Sequence, residues 1–310
     1  MQAVIVRCHD PSPAAAHRLA KWATDLQDSK QNIDFIISLD NTHAFNQTSN
    51  ERRSKKRKRA SQKESIGCAS QHTSPPTISP THRLLRTFAE YNIKNVHIHR
   101  YTEQDLLKNF PGLLPLQTYI LKEMKVQEMI SKKCTMAWGF HVEALLLWWK
   151  WSLKKKLEYD YVWVFEDDVG IKGSLLDLLQ CYQDEQADLL TDNAHSMNED
   201  WFWKNVHTSN FLNQTGGNEV TCCSEHVQRF SNKLMERLTN LCSNGVHAWS
   251  EAFTSTVANN ADDLILKGFC VENVGDPYKW NGRVTEDEWI AIMTKEEESS
   301  TPKVYHALKF

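Results

Sequence analysis

Two hydrophobic periods take turns along the chain, one with apolar residues at every second position or in short runs, the other with them three and four residues apart. Ala3 to Arg7 is an apolar run rich in β-branched residues, which predicts a strand, and Ala15, Leu19, Trp22 and Leu26 then share one helical stripe. Asp34 to Leu39 predicts a second strand, ending at Asp40. A stretch rich in Ser, Thr, Asn, Lys and Arg from Thr42 to Thr81 interrupts the alternation and reads as a disordered insertion. Beyond it, Leu84 to Tyr91 predicts a helix and Val96 to His99 a short strand, and Pro111-Gly112 breaks the chain before a helix near Tyr119 to Ile130.

Trp138, Val142, Leu145 and Trp149 fall on one helical face, after which Tyr161 to Phe165 predicts a buried strand running straight into Glu166-Asp167-Asp168. Gly173-Ser174 can start a helix carrying Leu175, Leu178 and Leu179; Asp188 to Thr191 and Glu219 to Cys223 predict strands, and Phe230, Leu234, Leu238 and Leu241 a following helix. The expectation is an α/β fold with a mixed or parallel central sheet and helices on both faces, in which ligands gather at the carboxyl ends of strands. One domain over residues 1–310, interrupted by 42–81, accounts for the pattern.

Composition narrows the class. The 310 residues are 41% hydrophobic and 24% charged, with eleven Trp and twelve Phe, which suits a packed core and excludes a disordered or fibrous chain. No run approaches the roughly 20 apolar residues of a membrane span; the best, Ala144 to Trp151, is short and follows His141 and Glu143. The opening Met-Gln-Ala-Val-Ile-Val-Arg has no signal-peptide pattern, which leaves an intracellular protein or a chain that begins downstream of its leader. Eight Cys are too sparse for a disulfide scaffold, and the adjacent Cys222 and Cys223 suit neither a zinc knuckle nor a redox pair.

The net charge of −3 conceals an asymmetry, since eight Lys and Arg lie between Arg52 and Lys63. Without that block and its flanking Glu51 and Glu64, 28 basic residues face 37 acidic ones, a balance of −9 that disfavours a broad nucleic-acid face. Lys55 to Arg59 has the composition of a nuclear-localisation or nucleic-acid patch, so a nuclear or nucleic-acid-binding protein acting through the insert is the alternative class; a solvated surface loop is the plainer reading. Asn46-Gln47-Thr48 and Asn213-Gln214-Thr215 fit the N-glycosylation pattern, which matters only on a secretory route.

The most informative segment is Val162-Trp163-Val164-Phe165-Glu166-Asp167-Asp168. Three consecutive carboxylates at a buried strand end repel one another, and a divalent cation is the simplest compensation. Hard oxygen ligands suit Mg²⁺ or Mn²⁺, and residues i and i+2 can face one ion across a tight turn, leaving the other positions to water and phosphate. The segment resembles the DXD-type motif, in its Glu-Asp-Asp form, of the GT-A-fold glycosyltransferases that use nucleotide sugars, a form found in the lipooligosaccharide galactosyltransferase family among others.

Other segments resemble parts of that superfamily in chain order. The strands ending at Arg7 and Asp40 resemble its nucleotide-binding half, and the helix with His141 and Trp148 its packing helix. Gly245 to Glu251 resembles the acceptor-side loop and helix that carry a catalytic carboxylate, and Val304 to Lys309 the C-terminal segment whose His completes the metal site. The resemblance implies transfer of a sugar from a nucleotide-sugar donor to a hydroxyl of a glycan, protein or lipid, with Mn²⁺ or Mg²⁺ as cofactor. It implies Glu166, Asp168 and His306 as metal ligands, Arg7, Asp40, Asp167 and Lys309 at the donor, and Glu251 as general base. It places such a protein in the Golgi or endoplasmic reticulum lumen, with its anchor outside this sequence; a cytoplasmic enzyme and an inactive glycan-binding relative are the alternatives.

Several residues have plainer readings of their own. Ser250 looks like an N-cap, which favours an acid at Glu251 without any catalysis. Asp262 and Asp263 read as a solvated helix surface, His9-Asp10 as a turn cap, and Trp148, Trp149 and Trp151 as core. Trp201 and Trp203, in a polar stretch, are the better candidates for exposed stacking on an acceptor.

Overall fold

The computed structural model describes residues 1–29, 31–42, 79–122, 139–196, 201–217, 219–278, 283–295 and 301–310. Its centre is a seven-stranded sheet in the order β3-β2-β1-β4-β7-β6-β8. These strands are β1 (Gln2–Cys8), β2 (Ile33–Asp40), β3 (Val96–Tyr101), β4 (Tyr161–Glu166), β6 (Leu189–Ser196), β7 (Thr221–Ser231) and β8 (Leu266–Gly268). All pairs are parallel except those of β7, which runs against β4 and β6. The expected mixed α/β architecture with helices on both faces is what forms.

Period-two alternation explains the layering. On β1, Ala3 and Ile5 join one apolar layer while Val4 and Val6 join the other; on β4, Val162 and Val164 face the first, Trp163 and Phe165 the second. The first layer is closed by the helices Glu103–Asn109, His141–Lys154, Asn232–Ser243 and Ser250–Asn260, the second by Pro13–Asp28, Pro80–Glu90 and Leu175–Cys181. The helix starts are locally encoded: Ser12, Ser79, Ser174 and Ser231 each accept a backbone N–H of the first turn.

A three-stranded sheet, β5 (Gly170–Lys172), β10 (Lys303–His306) and β9 (Val274–Tyr278), packs beside the end of β4. The close approach depends on Gly170, where a Cβ would lie 2.6 Å from Leu308 Cδ2 and 2.8 Å from Trp289. Leu308 N–H donates to Asp168 O at 2.7 Å, which fixes the segment carrying His306 against the acidic turn.

Two expectations change. The strand expected at Glu219 to Cys223 is β7, which continues to Ser231, so Phe230 is a buried strand residue and the helix begins at Asn232. The helix expected near Tyr119 starts at Leu113, directly after the Pro111-Gly112 break. Most of the insertion expected over 42–81 lies outside the described residues, as do Trp138 and the Lys55–Arg59 cluster; at its far edge Pro80 and Thr81 are already helical. Among the described residues no helix is long and apolar enough to cross a membrane.

Candidate metal centre

The carboxyl ends of β1 and β4 lie side by side, with Arg7 paired in register with Glu166. Antiparallel β7 places Val227 opposite Phe165, so the next pair along brings His226 to Glu166. Glu166 collects three cationic or imidazole groups: Arg7 Nη2 at 3.4 Å from Oε1, and His226 Nδ1 and His306 Nε2 at 2.9 and 3.4 Å from Oε2. His306 Nε2 is also 3.4 Å from Asp168 Oδ1, and Lys309 Nζ is 3.4 Å from Asp168 Oδ2. The His226 and His306 rings stack with centroids 3.3 Å apart.

The electrostatics follow from crowding. Burial pushes the Glu166 carboxyl up, but hydrogen bonds from His226 and His306 and the charge of Arg7 outweigh it and hold the group well below the usual carboxylate range. His306 shows the reciprocal effect: burial lowers it, Asp168 and Glu166 raise it, and the balance lies at about 9. Asp167 is pushed up to about 7 by burial and by its neighbours Asp168 and Glu166. Its backbone is held by Arg7 O, which accepts from Asp167 N at 3.2 Å, and by Arg18 Nη2, which donates to Asp167 O at 2.9 Å.

Behind this cluster lies a second pair of acids. Glu225, on β7, meets His141 Nδ1 at 3.0 Å. Glu251, in the first turn of its helix, is pushed up to about 9 by burial, Glu225 and Glu166. Its Oε2 is buried and accepts no hydrogen bond among the described residues. Ser250 is not the N-cap: Trp249 holds that position without a side-chain cap, and the buried Ser250 hydroxyl accepts Val142 N–H at 3.3 Å. The acid at Glu251 is therefore not part of a side-chain cap.

Of the residues expected in the site, Arg7, Glu166, Asp167, Asp168, Glu251, His306 and Lys309 form one connected group. Asp40 stands at the end of β2, linked to it through His9, whose Nδ1 is 3.3 Å away, while Thr42 N–H donates to Asp40 Oδ1 at 2.9 Å. Asp10 pairs with Arg83 at 3.0 Å. Asp263 is on the solvated surface, bridged to Lys233 and Arg237 at 3.1 and 3.0 Å. Trp148 and Trp149 are core, as expected, but Trp203 is partly buried and stacks on Trp249 with centroids 3.8 Å apart and planes 3° from parallel, so it has a packing role.

Sequence reasoning passed over Glu225 and His226. Both lie on β7, which runs on to Ser231 past the Cys223 end expected from the sequence, and the polar Glu225, His226, Gln228 and Arg229 leave no apolar alternation there to mark a strand.

The donor set can hold a divalent ion. Glu166, His226 and His306 each offer a ligand atom, all within 4.8 Å of one another. Asp168 Oδ1 adds a buried oxygen that accepts no hydrogen bond among the described residues. Carboxylates with imidazole suit Mn²⁺ better than Mg²⁺, which prefers an all-oxygen shell.

No protein-family description and no curated protein matches the sequence. Among solved structures, the chain is similar to the galactosyltransferase LgtC bound to donor and acceptor sugar analogues, at 9% identity and a TM-score of 0.36, covering 98% of this chain and 86% of that one. It is also similar to apo mouse xyloside xylosyltransferase 1, at 8% identity and 0.38, covering 99% and 98%, and to HddC from Yersinia pseudotuberculosis, at 9% and 0.35, covering 87% and 90%. At these scores the likeness carries no weight for what the chain does.

Proposed function

We propose that the chain is a metal-dependent glycosyltransferase of GT-A-like fold, moving a sugar from a nucleotide-sugar donor to a hydroxyl of a glycan, protein or lipid. The observation that carries this reading is the convergence of Glu166, Asp168, His226 and His306 at the carboxyl ends of β4 and β1, where open α/β sheets receive ligands. Glu166, Asp168 and His306 are the proposed metal ligands, with His226 as a fourth. When bound, Mn²⁺ at these groups supplies charge to stabilise the departing diphosphate.

This chain's own residues do the rest. Lys309, exposed beside Asp168, faces a phosphate oxygen; Arg7 balances the carboxylates from behind; Asp40, braced by His9 and Thr42, and Asp167 take the nucleoside hydroxyls. Glu251 takes the acceptor proton. Burial first, then Glu225 and Glu166, holds the Glu251 carboxyl up at about 9, so at neutral pH it carries a proton that must leave before it can accept another.

The test is a thermal-shift titration of Mn²⁺ with a panel of nucleotide sugars. A donor-specific, Mn²⁺-dependent rise that disappears in Asp168→Ala, with the fold intact by circular dichroism, supports the reading. A folded wild-type protein that no donor stabilises in the presence of Mn²⁺ overturns it.

A further inference from the structure

The helix His141–Lys154, the end of Asn232–Ser243 and the loop entering Ser250–Asn260 bury a second cluster: Glu143, Cys242 and His247. Glu143 and His247 side chains are 0% exposed. His247 Nδ1 lies 2.8 Å from Glu143 Oε1, and Cys242 Sγ lies 3.9 Å from the same oxygen. The ligand atoms of all three are within 4.8 Å of one another. Glu143 Oε2 is buried and accepts no hydrogen bond among the described residues, an expensive arrangement for a carboxylate unless something else engages it.

We propose that Glu143, Cys242 and His247 form a buried zinc site, separate from the Glu166 cluster. One carboxylate and one thiolate cancel the charge of Zn²⁺ with the imidazole neutral, so the loaded site carries no net charge in a place where a net charge is most costly. The O, N, S donor set suits zinc and disfavours Mg²⁺ or Mn²⁺. Zinc bond lengths of about 2.0–2.3 Å put tetrahedral ligand atoms about 3.3–3.5 Å apart. The 2.8 and 3.9 Å separations bracket that span. Glu143 Oε2 supplies the remaining oxygen. Loading breaks the Cys242 S–H bond and releases that proton to solvent, while the proton that His247 Nδ1 shares with Glu143 Oε1 leaves Nδ1 and the neutral imidazole carries it on Nε2.

The consequence is positional. His247 lies four residues before Glu251, and Glu143 lies two after His141, the partner of Glu225. A zinc tie at Glu143, Cys242 and His247 pins together the two segments that present those groups.

Cobalt spectroscopy tests this on the full chain, stripped of metal by chelator and reloaded with Co²⁺. Only a site with a thiolate gives a near-ultraviolet sulfur-to-cobalt charge-transfer band, and the Glu166 cluster contains none. The band is expected in wild type, retained in a His226→Asn/His306→Asn variant and lost in Cys242→Ser; Glu143→Gln weakens zinc affinity by more than about 100-fold. X-ray absorption of the zinc-loaded His226→Asn/His306→Asn protein should show one sulfur at about 2.3 Å, a readout that does not need Cys242→Ser to fold. No band in folded wild type, a band undiminished in folded Cys242→Ser, or a zinc shell of nitrogen and oxygen alone overturns the proposal. Sugar transfer can fail with the band intact, and the band can fail with sugar transfer intact.

Discussion

The Glu166 and Glu143 clusters are made of the same parts, a carboxylate against imidazole, and differ in what surrounds them. Glu166 is partly exposed at a strand end, shares its oxygens with Arg7, His226 and His306, and has Asp168 and Lys309 beside it. Glu143 is sealed, with one imidazole, one thiol and one oxygen that accepts no hydrogen bond among the described residues. An open set of ligands leaves coordination positions for substrate, whereas a closed one holds structure together. On the two proposals above, the same chemistry is divided between a place to react and a place to fasten.

Substitutions should separate the two. The largest effect is expected at the open cluster: Asp168→Ala should lower Mn²⁺-dependent sugar transfer by at least about 10²–10³-fold while leaving the melting temperature nearly unchanged. Retained turnover in a steady-state assay would remove Asp168 from the chemistry. At the closed cluster the loss should be of stability instead. Glu143→Ala leaves His247 buried without its carboxylate and should cost about 3–5 kcal/mol in urea unfolding. A cost below about 1 kcal/mol would mean that the pair is not a structural tie.

Gly112→Ala should cost about 1–3 kcal/mol through overpacking. Its Cβ would meet His247 Cδ2 and Nε2 at 2.7 and 2.8 Å, so the same urea measurement reads how tightly the closed cluster is wrapped. The smallest effect is a slope. Folded Glu251 keeps its proton up to about 9, while the unfolded chain loses it above about 4.5, so stability falls as pH rises between those values. Its share is at most about 1.4 kcal/mol per pH unit in metal-free protein. Asp167, raised to about 7, and His306, raised to about 9, tilt the profile the same way. Glu251→Gln should flatten the curve measured from pH 5 to 8.5; an unchanged curve would show that Glu251 ionises normally.

Legibility in the sequence tracked how the residues are satisfied. β1 and β4 could be read because their buried positions are apolar on both faces, and the acids that follow stand out against them. β7 could not, because its buried positions include Gln228 and Arg229. Gln228 donates to Thr254 Oγ1 at 3.2 Å, and Arg229 reaches Tyr182 O at 2.7 Å, Glu185 O at 2.6 Å and Ala187 O at 3.2 Å. Arg229 also lies 4.0 Å over the Tyr161 ring. Polar side chains made core-compatible by such partners erase the hydrophobic signature of a central strand, and Glu225 and His226 went with it. The Glu143 cluster was invisible for a different reason: Glu143, Cys242 and His247 come from three separate elements, and nothing in their spacing announces that the helices bring them together.

The docking of β10 has a consequence for synthesis. A ribosome-bound chain can complete β1, β4 and β7 and so bring Arg7, Glu166 and His226 together, yet it still lacks His306 and Lys309. Until that final strand pairs with β5, Asp168 has neither of these cationic neighbours. A nascent chain thus holds an incomplete Glu166 cluster until β10 has emerged and docked.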